Sequence, residues 1–205
     1  MTPIPELEAH PSVAGLSSQQ REQLETYLTL LMKWNARINL TAVRKPADIV
    51  QRHFSESLFA AQQIPSGVKT LLDYGSGAGL PGIPIAIAKP EVTVTLAESQ
   101  NKKAAFLREA VRTLGLNAEV WAGRVEAMEA KRVFDAVTLR AVEKMAEACR
   151  TATERLGPEG WIAVFATRAT EPASETIANI RWNRELAIPG SKQGLLKTGV
   201  RVYPE

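Results

Sequence analysis

Cysteine is nearly absent from these 205 residues, Cys149 being the only one. It falls within the stretch from Val142 to Leu156, so neither an internal disulfide nor a cysteine metal cluster can form, and a reducing, cytoplasmic setting is expected. Long hydrophobic runs are also missing. The densest apolar stretch, Gly82 to Ala88, is too short to span a bilayer. Met1 to Ser18 shows neither the basic nor the apolar segment of a secretory leader, so no membrane association is expected. Asn39-Leu40-Thr41 has the form of a glycosylation sequon and, without such a leader, is read as accidental. Aromatic residues make up 6% and charged residues 23%, a globular balance that excludes a disordered tail. With 45% apolar residues the chain can bury one sizeable core, so a single domain over residues 1–205 is expected; a monomer without metal is the default expectation. The net charge of +3 leaves an anionic partner open without requiring one.

Residues 1–16 read as an irregular leader. Ser17 and Gln20 have capping-box spacing, and Leu24, Tyr27, Leu28, Leu31 and Trp34 then recur at helical intervals, leaving Gln23, Glu25 and Lys33 facing water. A second helix is expected from Pro46 to about Gln62. Up to residue 64 the chain is therefore helical, and from residue 65 the texture changes to short β-branched runs alternating with amphipathic stretches. This pattern predicts an α/β fold with a doubly wound, mostly parallel sheet. The expected strands are Val68 to Asp73, Val92 to Leu96, Ala118 to Trp121, Phe134 to Leu139 and Trp161 to Phe165, the last preceded by a turn at Gly157-Pro158-Glu159-Gly160. Helices are expected through Phe106 to Leu114, closed by Gly115, and over Val142 to Leu156. Trp182 to Ile188 and Gly199 to Val202 could pair as a terminal hairpin.

The informative segment runs from Leu71 to Gly82 and contains Asp73, Gly75, Gly77, Gly79 and Gly82 between a strand and a helix. Glycines there let the backbone turn tightly and approach a ligand closely, in the crevice at the carboxyl ends of the strands. Gly77, Gly79 and Gly82 fit the dinucleotide G-x-G-x-x-G spacing, with Glu98 about 20 residues on, so a nicotinamide cofactor is one reading. Asp73 favours the other: Asp73 to Gly79 resembles motif I of class I S-adenosylmethionine-dependent methyltransferases, whose sulfonium cofactor needs no phosphate cradle. Glu98 would accept hydrogen bonds from ribose hydroxyls in either case.

Separated segments then resemble, in order, the RsmG (GidB) family of 16S rRNA guanine-N7 methyltransferases. They are Lys33-Trp34-Asn35, Asn39 to Arg44, Arg52 to Leu58, Asp73 to Pro84, Glu98 to Lys103, Arg124-Val125-Glu126, and Phe134-Asp135 through Arg140-Ala141. The extension Gly79-Leu80-Pro81-Gly82-Ile83-Pro84 is the most distinctive. The resemblance implies a Rossmann-like class I fold, S-adenosylmethionine as cofactor, and 16S rRNA or the small ribosomal subunit as partner. It further implies that Gly75 and Leu80 contact the cofactor, Val125 and Glu126 flank its adenine, Glu98 holds the ribose and Arg140 closes the pocket. Arg52, His53, Lys102, Lys103, Arg124 and Arg168 are the cations placed around an RNA entrance. The chain departs from the family at Glu56, usually Asp, at Tyr74, usually small and aliphatic, at Ala166-Thr167 in place of Lys-Gly, and in its atypical C-terminus from Leu195. A nicotinamide-dependent oxidoreductase and a non-catalytic RNA-binding module are the alternatives.

Overall fold

The computed structural model describes residues 11–167 and 177–203. A short 3-10 turn, Pro11–Val13, leads into α1, Ser18–Asn35, whose N-terminus carries the expected capping box between Ser17 and Gln20. Helix α2 is composite, with Pro46–Asp48, a π-helical stretch Ile49–Phe54 and Ser55–Gln63 following without a break. The alternation then runs β1 Thr70–Tyr74, α3 Gly82–Ala88, β2 Thr93–Glu98, α4 Asn101–Leu114, β3 Ala118–Ala122, β4 Phe134–Arg140, α5 Met145–Glu154 and β5 Leu156–Thr167. The antiparallel pair β6 Ile180–Ala187 and β7 Gly194–Arg201 completes it.

All seven strands share one sheet in the order β3-β2-β1-β4-β5-β7-β6. The first five strands are parallel neighbours and β7 is antiparallel to β5. The order reverses at β1 and β4, which opens a crevice at their carboxyl ends, where ligands bind in open α/β sheets.

Strand alternation divides the apolar side chains between two faces. Leu71, Val94, Leu96, Ala136, Trp161, Ala163 and Phe165 join one cluster. Their neighbours Leu72, Ala97, Val137, Ile162 and Val164 join the other, with Cys149 and Ala152 of α5. The first face is covered by α3 and α4 together with both N-terminal helices. Tyr27 stacks on Phe54 with ring centroids 5.2 Å apart, and Trp34 meets Phe106 edge-on at 5.8 Å.

Three local expectations are corrected. Gln23 does not face water: its side chain donates to the carbonyl of Leu114 at 2.8 Å, satisfying an orphan acceptor at the end of α4. The residues Gly157 to Gly160 do not precede the last parallel strand but form a bulge inside β5, between the pairings Phe134 with Leu156 and Ala136 with Trp161. Helix α5 starts at Met145 rather than Val142, because Ala141 and Lys144 take positive φ values of 50° and 51° and hold the intervening chain as a loop.

Candidate active site

The loop after β1 is wound by three glycines in the left-handed region, Gly75, Gly77 and Gly79. Its conformation is fixed from both sides. From below, the buried Asp73 carboxylate accepts the Gly82 N–H at 3.2 Å and the Thr138 hydroxyl at 3.0 Å. From the N-terminal helices, the Tyr27 hydroxyl donates to the Ala78 carbonyl at 2.6 Å. Burial lifts the Asp73 carboxyl to about 6 against the hydrogen bonds it accepts.

Asp73 thereby separates the two cofactor readings. In a dinucleotide fold the first helix offers its N-terminal N–H groups to a pyrophosphate. Here the N–H at the start of α3 is taken by the chain's own carboxylate, and a Cβ on Gly82 would come within 2.7 Å of Asp73 Oδ2. A pyrophosphate would have to displace a buried acid, so the dinucleotide reading is not favoured.

A cleft of about 360 Å³ opens at the carboxyl ends of β1, β2 and β4. Tyr74 and Gly75 form its floor, Glu98 to Gln100 and Lys103 one wall, Gly123 to Glu126 another, and the loop Ala141 to Lys144 a third. Glu98, largely buried, lines it, with Oε2 accepting from the Gly77 N–H at 3.0 Å and Oε1 from the Gln100 N–H at 2.7 Å. Each oxygen keeps a lone pair for a further donor, the requirement for holding a ribose diol. A side chain at Gly75 would be strained: its φ is +70° and a Cβ would lie 3.3 Å from Val142 Cγ2. Across the cleft, the Tyr74 hydroxyl donates to Glu126 Oε1 at 2.7 Å.

Of the residues singled out from sequence, Gly75, Glu98, Lys103, Arg124, Val125 and Glu126 come together around this cleft. Asp73, Gly77, Gly79 and Leu80 lie behind it: Asp73 and Leu80 are buried, and Gly79 packs against Ile83. Lys102 is exposed on a shallow groove beside Trp34 and Arg37. Arg168 lies outside the described residues. The walls supplied by Gln100, Gly123 and Val142 to Lys144 were missed, because loop residues that fold over a cleft carry no periodic signal.

A second cluster stands at the end of β4. Arg140 Nη2 pairs with Glu56 Oε2 and donates to His53 Nδ1 at 2.9 Å, while His53 Nε2 meets Thr41 Oγ1, also at 2.9 Å. The π-helical stretch of α2 carries Arg52 and His53, and Glu56 follows in the first α-helical turn after it. Arg140 Nη1 is buried with no hydrogen-bond partner among the described residues. Burial, then the charges of Arg140 and Arg52, push His53 down to about 3. His53 is thus a neutral support for Arg140 and not a surface cation.

The strand order, the acid-anchored glycine loop and the acidic cleft at the switch point define a class I S-adenosylmethionine-dependent methyltransferase fold. Solved structures agree on that fold. A SAM-dependent methyltransferase from Aquifex aeolicus superposes with a TM-score of 0.58 at 17% identity, covering 76% of this chain and 93% of that one. The N-methyltransferase NodS from Bradyrhizobium japonicum gives 0.56 at 14%, covering 72% and 93%. The family model described as GidB, rRNA small subunit methyltransferase G, matches residues 20–186. The ribosomal RNA small subunit methyltransferase G of Xanthomonas campestris pv. campestris is 45% identical over 153 residues, covering 74% of this chain and 70% of that protein. That of Stenotrophomonas maltophilia is 41% identical over 182 residues, covering 86% and 84%. The chain belongs to this family.

Proposed function

We propose that the chain transfers a methyl group from S-adenosylmethionine to N7 of a guanine in 16S rRNA of the small ribosomal subunit, acting as a cytoplasmic monomer. The observation that carries the reading is Glu98, a carboxylate fixed by two backbone N–H groups in a cleft that also offers a side-chain-free wall at Gly75. The residues fit the cofactor. Glu98 takes the ribose hydroxyls, Val125 and Glu126 flank the adenine, and Gly75 lets the backbone approach the methionine portion. Gly77, Gly79, Leu80 and Asp73 hold that loop in shape from behind, and Arg140 closes the far side. When bound, S-adenosylmethionine supplies a methyl group on a positively charged sulfur; in the lining Glu98, Glu126, Glu143 and Glu147 stand against Lys103, Arg124 and Lys144, with Lys144 paired to Glu147, so the balance suits that charge.

Guanine N7 carries a free lone pair at neutral pH, so no side chain has to remove a proton before transfer. The protein's work is to hold the base in line and to exclude water. The exposed cations Arg52, Lys102 and Arg124, with the half-buried Lys103, would hold the flanking phosphates, since phosphate contacts fix register and affinity. No helix among the described residues is long and apolar enough to cross a membrane. The test is transfer of labelled methyl to unmethylated small subunits, with N7-methylguanine located by borohydride and aniline cleavage. Cleavage at a single guanine supports the reading, and absence of transfer to any ribosomal RNA contradicts it.

A further inference from the structure

A second cleft, of about 410 Å³, is lined by Glu56, the ion-pair partner of Arg140, and the function proposed above leaves it unassigned. It is formed by Gln51, Arg52 and Glu56 of α2, Thr167 at the carboxyl end of β5, and Lys192 and Gln193 of the turn between β6 and β7. Its lining mixes polar and apolar surface, and Glu56 is its one carboxylate among the described residues. The Glu56 side chain is 14% exposed, and only Oε2 is used by Arg140. Oε1 has no hydrogen bond among the described residues and is not among the atoms sealed from solvent, so it faces the cleft.

We infer that this cleft receives the acceptor base and that Glu56 Oε1 reads the N1–H and N2–H donors of guanine. The inference rests on the rRNA methyltransferase reading above. Guanine presents two adjacent N–H donors on its Watson–Crick edge, which a carboxylate can accept together. Adenine offers an unprotonated N1 at the same place, a lone pair set against a negative charge. Burial raises the pKa of Glu56 by more than Arg140 and Arg52 lower it, so its carboxylate is short of solvation and gains from a donor pair. Arg140 fixes the carboxylate plane and is itself held by His53, so Arg140 and His53 are positioning residues. Arg52 and Lys192, both exposed at the rim, suit the flanking phosphates.

The test is a double-mutant cycle between residue 56 and the base. Small subunits are assembled from ligated 16S rRNA carrying either guanine or inosine, which lacks the N2 amino group, at the nucleotide mapped above. Methyl transfer is measured for the unaltered enzyme, Glu56→Gln and Glu56→Asp, with cofactor affinity measured by calorimetry. The unaltered enzyme is expected to lose about tenfold in kcat/KM on inosine. Glu56→Gln should lose about 100-fold on guanine and lose its preference for guanine over inosine, with cofactor affinity unchanged. Glu56→Asp should keep the preference. A Glu56→Gln enzyme that is slower but discriminates as well as the unaltered one would reduce Glu56 to a support for Arg140 and overturn the inference alone. No transfer by the unaltered enzyme to guanine would overturn the parent reading and this one together.

Discussion

Tyr74, at the end of β1, donates its hydroxyl to Glu126 Oε1 at 2.7 Å and so ties the floor of the cofactor cleft to the wall after β3. That hydrogen bond holds the Glu126 carboxyl below its usual range. Burial, followed by the same bond, keeps the Tyr74 hydroxyl protonated far above neutrality. Tyr74→Phe retains the ring and removes the bond. The Glu126 carboxyl should then titrate nearer an ordinary glutamate, read by carbon NMR of labelled side chains. Cofactor affinity should weaken about threefold to tenfold at unchanged saturated rate. A shifted Glu126 with unaltered affinity would mean that this carboxylate does not touch the cofactor.

Two glycines of the same loop should fail in different ways. Gly75→Asp puts a charged side chain where the backbone is left-handed and Val142 is 3.3 Å away, inside the cleft. Loss of cofactor binding by about 100-fold or more is expected, with the fold retained, because the site already holds Glu98 and Glu126. Gly82→Ala acts below the cleft, its Cβ meeting Leu96 Cδ2 at 2.3 Å and Asp73 Oδ2 at 2.7 Å. Overpacking there should cost about 1–3 kcal/mol in denaturant unfolding. Equal effects of both changes on stability would contradict the division of roles.

The parallel strands, the capped α1 and the glycine loop were legible because their signals are local: a period, a cap, four glycines within eight residues. The hairpin of β6 and β7 was legible in part: Trp182 to Ile188 lies within two residues of β6, whereas β7 starts at Gly194, ahead of the expected run from Gly199. What stayed hidden is long-range. Glu56 reaches Arg140 from 84 residues away and Gln23 reaches Leu114 from 91. A charged residue on a helix gives no sign, in sequence, of whether its partner is water or a buried guanidinium. His53 was read as a cation for the same reason.

Asp73 offers a test of the loop's electrostatics. Its carboxyl, raised by burial to about 6, releases its proton later in the native state than in the unfolded chain. Between about pH 4 and pH 6 the native form therefore binds more protons, and this group makes stability fall as pH rises. Asp73→Asn keeps an acceptor for the Gly82 N–H and removes the titration. The stability of the unaltered protein relative to this variant should decline by about 3 kcal/mol across that window, in urea unfolding at a series of pH values. A flat difference would show that Asp73 is not desolvated.

His53 should behave in the opposite sense. Arg140 can only donate, so Nδ1 accepts, Nε2 carries the proton and donates to Thr41, and the ring is neutral with its pKa near 3. From about pH 6.5 downward the unfolded chain binds the proton that the native chain refuses. Stability relative to His53→Gln should therefore fall as pH falls, by up to about 1.4 kcal/mol per unit. Nitrogen NMR should show the Nε2–H tautomer unchanged down to pH 5. A ring without charge can neutralise no phosphate. His53→Gln should thus leave the salt dependence of RNA binding as it is, whereas Arg52→Ala should lower its slope by about one. If instead His53→Gln flattens the salt dependence and Arg52→Ala does not, the ring is charged in the complex, and Arg140 must have moved off Nδ1 to let the proton in.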